Sequence, residues 1–318
     1  MKIDHSIIIE LKNECNMHCD HCYKGKKERE ENIKIESLLK FFDSIDEWRD
    51  RSIILTGGET LMYSELLALL KILNDRNFNI RINTNGILLP NFITCFSNIR
   101  RLKVQVSLDG FDNDTYSHIR NKDMFDTVID NTLIAYKNGI DIYFRATLTK
   151  DTFRFYEKYI EISHMTGIPL IMRPMIYTGI EQQIPYLMSL EDINAWLADS
   201  TKNKCQECLN NSVFENNHVC SLLNKENRFG TIYIKSNGDV FPCQLLMYDK
   251  FRISNIYNTN FFDVEQRIEY VKKIYKKYLS NIECKECKKR YFMGNGTCFA
   301  ACFFEKNNCN LIKEWRGK

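Results

Sequence analysis

Cys15, Cys19 and Cys22 place three thiols within eight residues, directly after the apolar run Ile7-Ile8-Ile9-Glu10-Leu11. A chain built this way has to bring them to one place. Structural zinc is almost always closed by four ligands, so three thiols alone suit another metal group. A four-iron cluster held by three cysteines keeps one iron open, and an open iron can bind a small molecule. His18 or His21 could instead complete a zinc site.

The 318 residues suffice to bury a core without covalent staples, so the 13 cysteines are not needed for stability. The N-terminal Met1-Lys2-Ile3-Asp4-His5 is mostly polar and does not read as a secretory leader. The longest apolar runs are strand-length, which predicts no membrane span. A cytoplasmic protein is expected, whose cysteines are metal ligands, catalytic groups or core residues. The net charge is only +3, and the lysine-rich stretches 24–29 and 272–277 read as solvated faces, so no nucleic-acid or membrane partner is expected.

Apolar spacing predicts helices over 35–45, 66–73, 92–99, 124–136 and 153–165, and strands over 6–11, 52–55, 80–82, 102–106, 141–148 and 169–174. Six strands separated by helices imply parallel pairing with right-handed crossovers, in an open sheet or a partial barrel. In either, the loops after the strand C-termini gather the ligand. The cysteine loop follows the first strand. Thr56-Gly57-Gly58-Glu59, Asn83-Thr84-Asn85-Gly86 and Ser107-Leu108-Asp109-Gly110 follow the next three. Any one of these is an ordinary turn sequence; their succession at one rim points to a site.

The CxxxCxxC loop, the Gly-Gly-Glu segment, the Thr-Asn-Gly turn and the Ser-Leu-Asp-Gly turn together resemble the radical S-adenosylmethionine (SAM) enzymes, over the chain to about residue 180. The resemblance implies a partial (β/α)6 TIM-like barrel, a 4Fe-4S cluster on Cys15, Cys19 and Cys22, and SAM chelated to the open iron. By the same resemblance, Gly57, Gly58 and Glu59 receive the cofactor's amino group. Ser107 and Asp109 contact its ribose, Asn83 and Asn85 line the rim, and Arg145 meets its carboxylate. His21 stands where an aromatic residue often precedes the third cysteine near the adenine. His118 and Arg120 follow the Asp109 turn, and His118 reads as structural. Thr60 replaces the proline usual after the Gly-Gly-Glu segment, which would have stiffened that turn.

Ser189-Leu190-Glu191-Asp192 reads as a capped helix start, and from residue 205 onward the chain holds nine of its 13 cysteines. Residues 231–235 alternate as a strand, Asn237-Gly238 marks a tight hairpin turn, and the chain returns to Cys243; a helix is expected over 264–278. The pattern Cys220, Gly238 to Cys243, Cys284, Cys287, Cys298, Cys302 and Cys309 resembles the SPASM extension of these enzymes, a small Cys-rich α+β domain with auxiliary clusters. The resemblance implies that Cys220, Cys243 and Cys302 share one cluster, completed by Cys208 or Cys205 or left open, and that Cys284, Cys287, Cys298 and Cys309 hold the other. The gap from Cys287 to Cys298 is longer than usual and that from Cys302 to Cys309 shorter. Cys205 and Cys208 could alternatively donate a hydrogen atom to a substrate radical, while Cys95 reads as a core residue.

The expectation is therefore an α/β radical SAM core over residues 1–200 and a SPASM domain over 201–318. Resemblance implies reductive cleavage of SAM and hydrogen abstraction from a peptide or protein substrate, leading to crosslinking, epimerisation or oxidation. An electron donor such as flavodoxin or ferredoxin is implied as a partner. A small-molecule radical dehydrogenase and a zinc-binding adaptor are the competing readings.

Overall fold

A computed structural model describes residues 2–24, 31–175, 178, 180–189, 191, 192, 195, 196, 229–258, 267, 269–271 and 273. In chain order the elements are β1 (Lys2–Glu10), α1 (Ile35–Asp43), β2 (Glu47–Trp48), β3 (Ser52–Thr56), α2 (Leu66–Asp75), β4 (Asn79–Thr84), α3 (Ile93–Phe96) and β5 (Leu102–Ser107). They continue as α4 (Asn113–Arg120), α5 (Phe125–Lys137), β6 (Ile142–Leu148), α6 (Tyr156–Thr166), β7 (Leu170–Pro174), β8 (Phe229–Ile234), β9 (Asp239–Phe241) and β10 (Ser254–Asn255). One sheet runs β10-β9-β8-β1-β3-β4-β5-β6-β7, with β2 beside β1. All pairs from β8 to β7 are parallel, as strands separated by helical crossovers require. This is the α/β partial barrel expected from the sequence.

Register explains the core. Ile7, Ile53, Ile80 and Leu102 form one cross-strand row, and Ile9, Leu55, Ile82, Val104 and Ile142 the next. These side chains are buried together with Leu38, Leu69, Leu70, Leu73, Val128 and Tyr159 of the covering helices. Because side chains alternate across a strand, the intervening residues face the concave side. They are mostly polar: Ser6, Glu10, Thr56, Arg81, Asn83, Gln105, Ser107, Tyr143, Arg145, Thr147 and Arg173. An apolar outer face and a polar inner face are what a ligand-holding barrel requires.

The structure departs from expectation in three places. The helix expected over 92–99 is reduced to α3, preceded by a 3-10 turn at Leu89–Phe92. Pro90 fixes the entry, and Ser97 Oγ and Asn98 Nδ2 donate to the carbonyls of Ile93 and Thr94 at 2.9 and 2.8 Å, side chains competing for backbone acceptors. Helix α4, polar and not anticipated, is started by a capping box in which Asp112 accepts from Thr115 N at 2.8 Å, and it ends on left-handed Asn121. Finally, the expected 231–235 hairpin adds β8 directly to β1, extending the barrel sheet. Its turn is made by Asn237 and Gly238, the latter at φ 85°, a conformation glycine adopts without strain.

The hairpin is also held chemically. Glu10, with no exposed surface, accepts from Tyr233 Oη and from Ser236 Oγ at 2.6 Å, and Lys24 Nζ lies 3.0 Å from its Oε1. One carboxylate thus joins β1, the residue two past Cys22, and the hairpin that carries Cys243. Ser189 caps the following turn as expected, accepting from Asp192 N at 3.0 Å. Residues 267, 269–271 and 273 are helical, within the expected 264–278 segment. Cys95, on α3, packs partly buried against the core. Among the described residues, no helix is long and apolar enough to cross a membrane.

Candidate active site

The cysteine loop leaves the C-terminal end of β1 and is pinned to the barrel rim along its length. Gly58 N donates to the Lys12 carbonyl at 2.8 Å, Glu59 N to the Glu14 carbonyl at 2.9 Å, and Asn85 Nδ2 to Asn16 Oδ1 at 2.7 Å. On the other side α4 holds it: Asp20 N donates to the Ile119 carbonyl at 3.1 Å, and Asn121 Nδ2 to the His18 carbonyl and Asp20 Oδ1 at 2.8 and 2.7 Å. Tyr186 Oη donates to Asp20 Oδ2 at 2.8 Å, and Gln183 Nε2 to the His21 carbonyl at 3.1 Å.

The glycines are explained by this contact. A Cβ on Gly58 would stand 2.0 Å from the Glu14 oxygen, and one on Gly57 2.6 Å from that of Lys12, both backbone atoms that cannot swing away. Gly58→Ala is expected to cost about 1–3 kcal/mol by overpacking. It should also lower the iron bound per chain after reconstitution, measured by metal analysis. A variant with full iron content and an unchanged melting midpoint would contradict the role given to Gly58. Thr60 supplies the stiffness that proline would have given: its Oγ1 donates to the Asn83 carbonyl at 2.6 Å, with the side chain fully buried.

The thiols of Cys15, Cys19 and Cys22 are partly buried, and they lie near enough that charge on Cys22 raises the pKa of Cys15 and charge on Cys22 and Cys15 raises that of Cys19. Burial pushes Cys15 up, and pushes Cys19 up to about 11 although the Arg120 guanidinium pulls the other way. Met17 N donates to Cys15 Sγ at 3.4 Å, and Cys22 N to the Cys19 carbonyl at 3.2 Å. Among the described residues, no group of three His, Cys, Asp or Glu side chains is drawn into a metal-holding arrangement in these rotamers. The donor set nevertheless fits an iron–sulfur cluster. Three thiols stand on one loop pinned by backbone bonds, and a cationic cluster converts such thiols to thiolate ligands.

The rim residues divide by what they already hold. Glu59 is 1% exposed; its Oε1 accepts from Leu61 N at 3.0 Å and Thr84 Oγ1 at 2.6 Å, and its Oε2 from Asn85 N at 2.8 Å. Burial raises its pKa against these donors. Asn85 is committed in turn, since its Oδ1 accepts from Ile87 N at 3.0 Å while its amide holds Asn16. Asp109 is also saturated: Oδ1 accepts from Thr147 N at 2.8 Å, and Oδ2 meets Arg120 Nη2 and His21 Nε2, the latter at 2.9 Å. Burial opposes its charge, but Arg120 and His21 hold the carboxyl well below the usual carboxylate range. The open positions are Asn83, whose buried Oδ1 has no partner, Ser107, which makes no side-chain bond among the described residues, and Arg145. Arg145 Nη1 reaches only Gln105 Oε1, at 3.4 Å.

The role assigned by resemblance to both Ser107 and Asp109 therefore has a free acceptor only at Ser107. His21 faces Asp109 through Nε2, and its buried Nδ1 has no hydrogen-bond partner. Arg120 went without a role in the sequence, yet it reaches Asp109 and Met17 Sδ, the latter at 3.9 Å, in the middle of the cysteine loop. The signal for it was the Tyr116, Ile119, Arg120 spacing, one buried stripe on a short polar helix. His118 packs edge-on against Tyr186 at 5.7 Å, a structural contact. Of the C-terminal cysteines, Cys243 is described, partly buried at the end of the hairpin with Leu245 N donating to its sulfur at 3.4 Å. Cys205, Cys208, Cys220, Cys284, Cys287, Cys298, Cys302 and Cys309 lie outside the described residues.

Residues 9–160 match the family model described as the Radical SAM superfamily, and residues 226–288 that of an iron-sulfur cluster-binding domain, SPASM. A GTP 3′,8-cyclase of Aliarcobacter butzleri is 29% identical over 148 residues, 44% of this chain and 45% of that protein, so the match spans less than half of the relative. A probable GTP 3′,8-cyclase of Sulfurisphaera tokodaii is 24% identical over 287 residues, 84% of this chain and 89% of the other. Among solved structures, Streptococcus suis SuiB bound to precursor peptide SuiA superposes with a TM-score of 0.73 at 16% identity, covering 96% of this chain and 74% of SuiB. Native anSMEcpe with bound AdoMet gives 0.73 at 18%, covering 98% and 95%. At these identities the superpositions establish the fold.

Proposed function

From a chain that belongs to the radical SAM superfamily and carries a SPASM domain, as this one does, we propose an enzyme that modifies a peptide or protein substrate by hydrogen abstraction. The observation that carries the reading is the cysteine loop clamped to the barrel rim beside three polar groups left open: Asn83, Ser107 and Arg145. When bound, the cluster and SAM supply reductive carbon–sulfur cleavage and an adenosyl radical.

Cys15, Cys19 and Cys22 hold the cluster. The Gly57-Gly58-Glu59 segment presents backbone carbonyls to the cofactor's amino group, with the Glu59 carboxylate fixing the segment to β4. Ser107 and Asn83 offer hydrogen bonds to its polar atoms, and Arg145 meets its carboxylate. Asn85, Asp109 and His21 orient the loop. The concave barrel face limits water access, which protects a reactive radical. The auxiliary domain, taken as residues 201–318 after a core of 1–200, holds one or two further clusters through Cys243 and the remaining C-terminal cysteines. We place the enzyme in the cytoplasm, fed by a flavodoxin- or ferredoxin-type donor.

Peptide chemistry is supported by fold neighbours solved with peptides, SuiB with precursor peptide SuiA and anSMEcpe with Kp18Cys peptide. A small-molecule reading is favoured by one observation, the match over 84% of the chain to a probable GTP 3′,8-cyclase. The two separate in one experiment. The anaerobically reconstituted chain is incubated with SAM, a reductant and either GTP or a short peptide encoded beside its gene, and 5′-deoxyadenosine and product masses are read. Peptide-dependent loss of about two hydrogens, or deuterium uptake at unchanged mass, is expected. Turnover of GTP with an unaltered peptide would replace the peptide reading, and zinc in place of iron would remove the enzyme reading altogether.

A further inference from the structure

One row below Ser107 and Arg145, the concave face holds a buried amide that is fixed at one end and unspent at the other. Val104 and Val106 of β5 and Ile142 and Phe144 of β6 are buried against the helices, so Gln105 and Tyr143 stand on the opposite face. Asn83, Gln105 and Tyr143 are register partners on three adjacent strands. Ser107 and Arg145 pair in the next row toward the rim, about 7 Å away at about 3.3 Å per residue.

Gln105 is 5% exposed, and its Oε1 accepts from Tyr143 Oη at 2.9 Å and from Arg145 Nη1 at 3.4 Å. A guanidinium only donates, so the atom facing Arg145 is the oxygen, which fixes the orientation of the amide. Both acceptor positions of that oxygen are then taken, and the NH2 group keeps two protons to give. Among the described residues, Nε2 makes no hydrogen bond. Asn83 Oδ1, on the neighbouring strand, is buried without a partner, so the two amides do not satisfy one another. Buried polar groups in native folds are hydrogen-bonded almost throughout, and an amide locked at its oxygen with a free nitrogen is prepared for an acceptor on a ligand. A carboxylate would be met better by a guanidinium; a neutral NH2 group suits a neutral carbonyl.

We infer that Gln105 is a substrate-binding residue whose Nε2 donates to a peptide carbonyl oxygen of the substrate, directly below the cofactor. Tyr143 and Arg145 hold the amide in the orientation this needs. The inference rests on the peptide reading above, because a guanine carbonyl would accept the same bond. Ser107, Asn83 and Arg145 serve the cofactor, so a carbonyl on Gln105 lies against it, and the hydrogen to be abstracted is one close to that carbonyl.

Gln105→Glu separates this role from a structural one. Its carboxylate still accepts from Tyr143 and Arg145 but has no proton to give, so a structural role is preserved while the substrate contact is lost. The test is isothermal titration of the reconstituted full chain, saturated with SAM, with two probes: the short peptide encoded beside its gene, and GTP. The native chain is expected to bind the peptide about tenfold tighter than Gln105→Glu, the scale of one hydrogen bond whose donor is replaced by an acceptor. Gln105→Met, which removes both ends of the amide, should lose the same affinity, with melting midpoints reporting the fold of both variants. Native peptide affinity in either variant overturns the role of Gln105 and leaves the peptide reading standing; binding of neither probe by the native chain overturns the inference. Gln105-dependent binding of GTP without binding of the peptide sustains Gln105 as the residue that reads a carbonyl and overturns the peptide reading.

Discussion

Replacing Cys15, Cys19 and Cys22 together by alanine is expected to remove about four irons per chain and bring reductant-driven 5′-deoxyadenosine release to background. The loss should exceed about a hundredfold, since altering even an outer partner of a metal ligand costs about 10–100-fold. The fold should survive. The loop is held to the barrel through the backbone atoms of Lys12, Glu14 and Asp20 and the side chain of Asn16, and none of these contacts uses a cysteine sulfur. Iron from the C-terminal cysteines should remain, which makes the difference in iron content diagnostic. Unchanged iron and unchanged release would take the triad out of the chemistry.

The sheet was legible because each strand announces itself twice, by a short apolar stretch and by the Gly, Asn or Asp cluster that follows it. Ile53 to Leu55 before Gly57, and Val104 and Val106 before Asp109, read the same way in the sequence and in the structure. Helix α4 was hidden because its stripe contains Tyr116, Ile119 and Arg120 amid polar residues, and a buried arginine does not register as apolar. The addition of β8 to β1 is a non-local pairing across more than 200 residues, and nothing in either strand names its neighbour. The site was legible by residue type but not by commitment. A carboxylate such as Asp109 or Glu59 looks available in sequence, and only packing shows that backbone amides, His21 and Arg120 already occupy it.

That commitment makes Arg120→Met the variant with the largest expected effect on stability. Arg120 is 6% exposed and Asp109 2%, and removing one partner of a buried ion pair strands the other charge, at a cost of about 3–5 kcal/mol. Out of a typical total of about 5–15 kcal/mol, this moves a denaturation midpoint unmistakably. Asp109→Asn should recover part of the loss in the double variant, because Asn removes the stranded charge and its Oδ1 still accepts from Thr147 N. The pH dependence gives the sign. Asp109 is held below its ordinary range in the fold, so its contribution is complete above the unfolded carboxylate value of about 3.9 and is withdrawn as pH falls through the folded value. Without Arg120, burial acts on Asp109 against only His21 and Thr147 N, and the balance moves toward its protonated form. The stability gap between the native chain and Arg120→Met should therefore be widest near neutral pH and narrow below about pH 4. The guanidinium also favours negative charge at Cys19, so its removal should make the nearby cluster harder to reduce. A potentiometric titration followed by electron paramagnetic resonance reads this directly: a lower midpoint potential in Arg120→Met is expected, and an identical potential would confine Arg120 to holding the loop in place.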